Sequence, residues 1–415
     1  MSTRTFTYSR INGINIRFDL TFPDIPGEPI TRDTRSRAAM NSIAVLMMRV
    51  NQMMEGHSTN SAPLEPVTVP AVVFFHGGGL TAGNREFYPR DFKGMKTGSH
   101  RTHMSVSRIA ADCLANGIAF ISADYRLLFP CTAHDILNDV RQLFTFIGES
   151  LNPALSASSY PGDPYNFHVS PDHLAVAGAS AGAYPARLAA LYATPQPKAF
   201  FSLYGTGGDL LHPFYLRTPM PDLDLGTCAR FMMPATVEAR DTATPISDCP
   251  FSFGSDHQRI PGYADRLLTL YSTMLRAGRY LDFLTGIEGL GDRLRTHARK
   301  SGVELDAENY DWRALVPAIP PEANCLFPQL HVSDRFPPTF LVHGNADKAV
   351  MVEESIEADR MLKEVGVRSE LVVAHGFGHT FDQHMGSDGW SKICGAVVPF
   401  LLEYIATADM VELAR

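Results

Sequence analysis

Residues 178–182 read Gly-Ala-Ser-Ala-Gly, the pattern G-x-S-x-G. Ser180 is either a nucleophile or one small residue in an Ala- and Gly-rich stretch. An apolar run at 174–177 precedes it and a helix-like run at 186–192 follows. A serine on a sharp strand-to-helix turn holds its hydroxyl exposed above the sheet edge, and the flanking glycines let the backbone turn that tightly. The hydroxyl needs a base, and the base needs a carboxylate to orient it. Late in the chain, His343-Gly344-Asn345-Ala346-Asp347 follows an apolar run, which puts Asp347 in the loop beyond a strand. Further on, His375-Gly376-Phe377-Gly378-His379-Thr380-Phe381 follows another and offers two bases. His375 abuts the strand, which favours a buried or supporting place. His379 lies further out, where a loop can reach Ser180, and is the expected base. Glu353 and Glu354 read most simply as a solvated helix start, with a substitute acid as the alternative.

His76-Gly77-Gly78-Gly79 closes an earlier apolar run. Three glycines let backbone N–H groups turn inward with no side chain in the way. The amides of Gly77 and Gly78, with that of Ala181, are then expected to hydrogen-bond a developing oxyanion. A plain glycine turn and a phosphate-cradling loop are the competing readings. Both G-x-G-x-x-G and the P-loop GK[ST] are absent, which argues against the second. His76 and His343 are read as structural, the first orienting the glycine loop and the second ending a strand.

The chain order is Ser, Asp, His, that of the α/β-hydrolases. With HGGG at 76–79, Asp124-Tyr125-Arg126-Leu127 after the next strand, GASAG at 178–182 and the Asp347 and His379 loops, the sequence resembles the hormone-sensitive-lipase-like branch of that superfamily. The resemblance covers about 70–205 and 336–400. It implies hydrolysis of a small-molecule carboxylic ester through an acyl-enzyme, with no metal or organic cofactor. Three departures stand out. Ala179 replaces the usual Asp before the nucleophile, the DYRL stretch continues Leu128-Phe129-Pro130-Cys131, and Lys348-Ala349-Val350 follows the acid. The substrate pocket is therefore not inherited from the family. Acyl transfer, thioester release or lactone formation in specialised metabolism, and a non-catalytic ligand-binding protein, are the rival readings.

The elements that must position these residues are legible in the patterning. Two alternating runs, 5–10 and 14–22, flank Asn12-Gly13 and predict a hairpin. Apolar runs at 71–75, 118–123, 174–177, 199–204, 339–343 and 370–374 predict buried strands. Helical stretches at 105–115, 135–149 and 352–365 alternate with them. The expected fold is an α/β-hydrolase fold, a mostly parallel doubly wound sheet with a large, mainly helical cap insertion. The core is expected over 1–204, with an insert at 24–68, and over 336–415. The cap falls between them at 205–335, with helices at 263–276 and 280–299, and favours a bulky, apolar substrate. A Met-rich helix at 42–50 packs on the core, or serves as a lid, a homodimer contact or a membrane-surface contact.

Composition bounds the rest. In 415 residues, 45% are hydrophobic and 19% charged, the balance of a globular protein with a sizeable core. A formal net charge of −8, with scattered basic residues, gives no field for nucleic acid. The six cysteines are widely spaced without a C-x-x-C pair and are expected to be free thiols, not a zinc site. No apolar run reaches the roughly 18 residues of a transmembrane segment. The N-terminal residues lack an apolar signal core, so a cytoplasmic location is expected.

Overall fold

A computed structural model describes residues 3–23, 66–87, 104–158, 167–217, 244–249, 270–305, 310–383 and 385–407. The helix expected at 42–50, the first residues of that expected at 263–276, and Cys228 lie outside them. Eight strands form one sheet in the order β1-β2-β4-β3-β5-β6-β7-β8. They are β1 Thr3–Ile11, β2 Ile14–Thr21, β3 Val67–Phe75, β4 Ala119–Ala123, β5 Phe167–Ala179, β6 Ala199–Leu203, β7 Thr339–Gly344 and β8 Ser369–Ala374. β1 and β2 pair antiparallel, and β2 runs antiparallel to β4; every pairing from β4 through β8 is parallel. Strands alternating with helices in this order make the α/β-hydrolase fold.

Local chemistry explains each element. Asn12 and Gly13 take φ of 48° and 81°, the two positive values that a two-residue hairpin turn requires. In β3 every residue but Thr68 is buried, as in a strand covered on both faces. Val69, Ala71, Val73 and Phe75 face one apolar cluster, and Val72 and Phe74 face the other. β5 is longer than its apolar run at 174–177 foretold. Its pairing with β3 slips between Val69 and Ala71, where Val169 and Leu174 are the successive partners. Pro70 and Pro171 carry no N–H for the ladder, so the strand bulges there and resumes.

Helices Ala133–Thr145 and Ala183–Tyr192 cover one face of the sheet. Val397–Ile405 and the described part of Met104–Ala115 cover the other. The described parts of the 205–335 insertion join the first of these clusters through Leu211, Tyr215, Met274, Leu281, Leu294 and Leu315. Its helices there are Ser272–Arg276, Tyr280–Thr285 and Leu290–Lys300, so the stretch expected at 280–299 divides in two at a left-handed Gly286. Among the described residues, Cys113, Cys131, Cys249, Cys325 and Cys394 are free thiols, and no helix is long and apolar enough to cross a membrane.

Candidate active site

β5 delivers its last residue, Ala179, directly to Ser180, which takes φ of +53° and begins a short turn, Ser180–Gly182. The helix Ala183–Tyr192 starts at once. Glycine is obligatory on both sides. A Cβ on Gly178 would lie 2.2 Å from the Gly182 carbonyl oxygen, and one on Gly182 would lie 2.1 Å from that of Phe75. A non-glycine residue in the left-handed region costs about 1–2 kcal/mol, tolerated where the surrounding packing imposes it. Here it lifts a half-buried Ser180 off the end of the central strand. Ala179 is buried in the apolar cluster of the opposite sheet face, an environment suited to a methyl group.

The loop after β7 carries Asp347. Its Oδ1 accepts the amides of Ala349 at 2.9 Å and Val350 at 3.0 Å. Its Oδ2 lies 2.7 Å from His379 Nδ1 and 3.4 Å from His343 Nε2. Burial pushes the Asp347 carboxyl up, but the hydrogen bonds from His343 and His379 outweigh it and hold the group well below the usual carboxylate range. A charged Asp347 keeps the proton on His379 Nδ1 and leaves Nε2 as an acceptor. That Nε2 lies 2.9 Å from Ser180 Oγ. The structure therefore brings Ser180, His379 and Asp347 into one hydrogen-bonded chain.

Two neighbouring residues depart from expectation. His375 is exposed rather than buried, and Gly376 after it takes φ of 78°. Its Nδ1 accepts from Asn345 Nδ2 at 3.3 Å. Glu354 is not a solvated helix start. Only 1% of it is exposed, and it accepts the amides of Gly208 at 2.8 Å and Asp209 at 3.2 Å and the hydroxyl of Tyr215. Burial pushes its carboxyl up. Glu353 beside it is exposed. Periodicity in a short charged stretch does not reveal which carboxylate turns inward.

The glycine loop begins at His76, fully buried and stacked on Tyr125 with ring centroids 4.5 Å apart. Burial pushes its pKa down to about 4, so the imidazole is neutral. Its Nδ1–H donates to the Gly77 carbonyl at 2.8 Å, which fixes the plane of the Gly77–Gly78 peptide and aims the Gly78 amide the opposite way. Gly78 and Gly79 take φ of 115° and 63°. Gly77 lies against Ser180, since a Cβ there would be 3.1 Å from Ser180 Cβ. Ala181 follows Ser180 and is buried. The loop is tied down beyond by Arg85, whose Nη1 donates to Asp124 Oδ2 at 2.7 Å and whose Nε donates to Asp19 Oδ1 at 3.2 Å. Gly83 and Cys249 exchange backbone hydrogen bonds of 2.7 and 3.1 Å, which pins part of the insertion to this loop.

Three contacts around the site had no sequence signal: the approach of His343 to Asp347, the Arg85 tether, and Tyr204, whose ring meets that of His379. The last two pair residues far apart in the chain, which no short motif encodes, and the first depends on how the loop after β7 folds back on the strand end. Among the described residues no group of three or more His, Cys, Asp or Glu is placed to hold a metal ion. The arrangement combines an oriented base, a strained hydroxyl and glycine amides, the parts of nucleophilic acyl chemistry.

No protein-family model matches the chain. A stretch of 54 residues is 41% identical to the non-reducing polyketide synthase pkbA of Emericella nidulans, covering 13% of this chain and 2% of that protein. Another of 94 residues is 30% identical to methylphloroacetophenone synthase of Cladonia uncialis, covering 21% and 4%. The chain thus spans only a few per cent of the length of the curated proteins it matches. Among solved structures it is similar to esterase 2 of Thermogutta terrifontis phosphoramylated by tabun, at 14% identity and a TM-score of 0.47, over 98% of this chain and 96% of that one. An alpha/beta hydrolase superfamily protein from Enterococcus faecalis aligns at 18% identity and a TM-score of 0.47, over 82% and 93%.

Proposed function

We propose that the protein is a serine hydrolase that cleaves a carboxylic ester with a bulky, apolar substituent through an acyl-enzyme. Ser180 attacks the carbonyl carbon while His379 Nε2 takes its proton. Asp347 holds the imidazole in the tautomer that makes this transfer feasible and stabilises the imidazolium that forms. The amides of Gly77, Gly78 and Ala181 bind the oxyanion, where losing one donor costs about 3–4 kcal/mol in comparable sites. His379 then protonates the departing alcohol. Water then attacks the acyl carbon while giving a proton to the same nitrogen, and His379 returns that proton to Ser180 Oγ as the bond to serine breaks and the acid leaves.

The observation that carries this reading is the pair of hydrogen bonds at the two ring nitrogens of His379, 2.9 Å to Ser180 and 2.7 Å to Asp347. A second reading keeps the residues and changes the leaving group or the acceptor, giving thioester release, acyl transfer or lactone formation. The short match to a polyketide synthase keeps that reading beside the first without choosing between them.

Intact mass after exposure to a fluorophosphonate tests the reading. One adduct is expected on the wild type, none on Ser180→Ala, and labelling much slowed on His379→Ala but not on His375→Ala. An unlabelled wild type favours a ligand-binding protein instead. Matched oxygen esters and thioesters, with water or an added alcohol as acceptor, then separate hydrolysis from transfer by product mass.

A further inference from the structure

His379 is hydrogen-bonded at both ring nitrogens, and those two bonds leave the imidazole free to rock about the line that joins them. A rigid neighbour packed against the ring is needed to stop that motion. Tyr204, just beyond β6, supplies one. Its ring centroid is 4.8 Å from that of His379, at an interplanar angle of 61°. Tyr204 takes φ of +40°, and its amide is held by the Val342 carbonyl at 2.7 Å. Its hydroxyl donates at 2.8 Å to Oδ1 of Asp382, three residues beyond His379 in the same loop. Asp382 is fully buried. Phe381 beside it packs edge-on to the Tyr204 ring, with centroids 5.6 Å apart. Between His379 and this anchor, Thr380 is also in the left-handed region, at φ +56°. Two non-glycine residues in rare backbone conformations, Tyr204 and Thr380, therefore lie beside the base, and a buried hydrogen bond ties Tyr204 to Asp382, two residues beyond Thr380. Such outliers persist where the surroundings over-determine them, often at functional sites.

We propose that Tyr204 and Asp382 are positioning residues for the base: the Tyr204 ring sets the plane of the His379 imidazole, and the Tyr204–Asp382 hydrogen bond fixes the loop that carries it. Neither residue touches the reacting atoms. The inference rests on the serine-hydrolase reading, and it assigns a role to two residues outside the Ser180–His379–Asp347 chain.

The test follows fluorophosphonate labelling over time, by intact mass, for the wild type, Tyr204→Phe, Tyr204→Leu and Asp382→Asn. Tyr204→Phe keeps the ring and loses the hydrogen bond, so its labelling rate constant is expected to fall about fivefold; Tyr204→Leu loses both and is expected to fall about a hundredfold, as small misplacements of catalytic groups do. Asp382→Asn is expected to resemble Tyr204→Phe. In each variant the final labelled fraction stays at the wild-type value, and KM for a p-nitrophenyl ester is expected to hold within about twofold while kcat falls, the mark of a lost transition-state interaction. A merely structural role would instead lower the final labelled fraction and leave the rate constant of the labelled chains unchanged, and that overturns the proposal. Wild-type rate constants in both Tyr204 variants overturn it as well. An unlabelled wild type overturns the serine-hydrolase reading and this inference with it, whereas a labelled wild type beside unaffected variants overturns this inference alone.

Discussion

Asp347 is the residue on which the protonation of the candidate site depends. Ala349, Val350 and His379 hydrogen-bond it, His343 Nε2 lies 3.4 Å away, and the His379 contact fixes the tautomer. In Asp347→Asn, an amide N–H facing His379 Nδ1–H would turn the tautomer over and remove the acceptor from Ser180. Labelling by a fluorophosphonate is expected to slow by about 10⁴-fold, as in comparable triads, with little change in fold. An unchanged rate would remove Asp347 from the mechanism. His76 makes a second prediction. Its pKa is pushed down to about 4 in the fold by burial. The neutral ring therefore stabilises the fold fully above the unfolded value near 6.5, and that contribution is lost as pH falls through 6.5 towards 4. The shift corresponds to about 3 kcal/mol. Urea unfolding of wild type and His76→Gln at pH 7 and pH 4 is expected to show a smaller acid loss in the variant; equal losses would refute the assignment.

At the scale of elements, the site is held by loops that are themselves clamped. The stretch after β6 donates Thr206 N–H to the Ser180 carbonyl at 3.1 Å, and two residues later it is gripped by Glu354 of the helix Glu353–Glu364. Glu354 thereby links the helix after the Asp347 loop to the stretch that binds Ser180 and to Tyr215, whose hydroxyl it accepts. Glu354→Ala leaves two buried amides and a hydroxyl without their acceptor, at about 1–3 kcal/mol for each group. A loss of several kcal/mol in urea unfolding is expected. The exposed Glu353→Ala is expected to stay within about 0.5 kcal/mol of wild type. Equal effects at the two positions would mean that the buried clamp contributes nothing.

At the scale of the whole molecule, the described parts of 205–335 pack into the same apolar cluster as the sheet. Leu211, Met274, Leu281, Leu294 and Leu315 share one cluster with Val73, Phe75 and Leu188. Deleting 205–335 and joining the ends would expose that sheet face and the helix after the nucleophile. Large apolar patches opened in this way drive aggregation. The shortened chain is expected to lose cooperative unfolding and solubility together. A soluble, cooperatively folding deletion would show the insertion to be a separate layer.

Strand positions, the turn at Asn12-Gly13 and the tight turn between Gly178 and Gly182 were legible in the chain, because each depends on local chemistry. A continuous apolar run between turn signals fits a buried strand, as in β3, although β8 at the sheet edge, read the same way at 370–374, is only half-buried. Two glycines around a serine permit only a few turns. What depends on approach between distant segments was settled by the tertiary structure. The inward turn of Glu354, the outward turn of His375, the tether from Arg85 to Asp124 and Asp19, and the wall that Tyr204 makes against His379 all join loops brought together only when the sheet assembles. A polar residue reads the same in sequence whether water or a buried partner receives its hydrogen bond. Packing decides which, because leaving a buried polar group without its partner is what the folded state avoids.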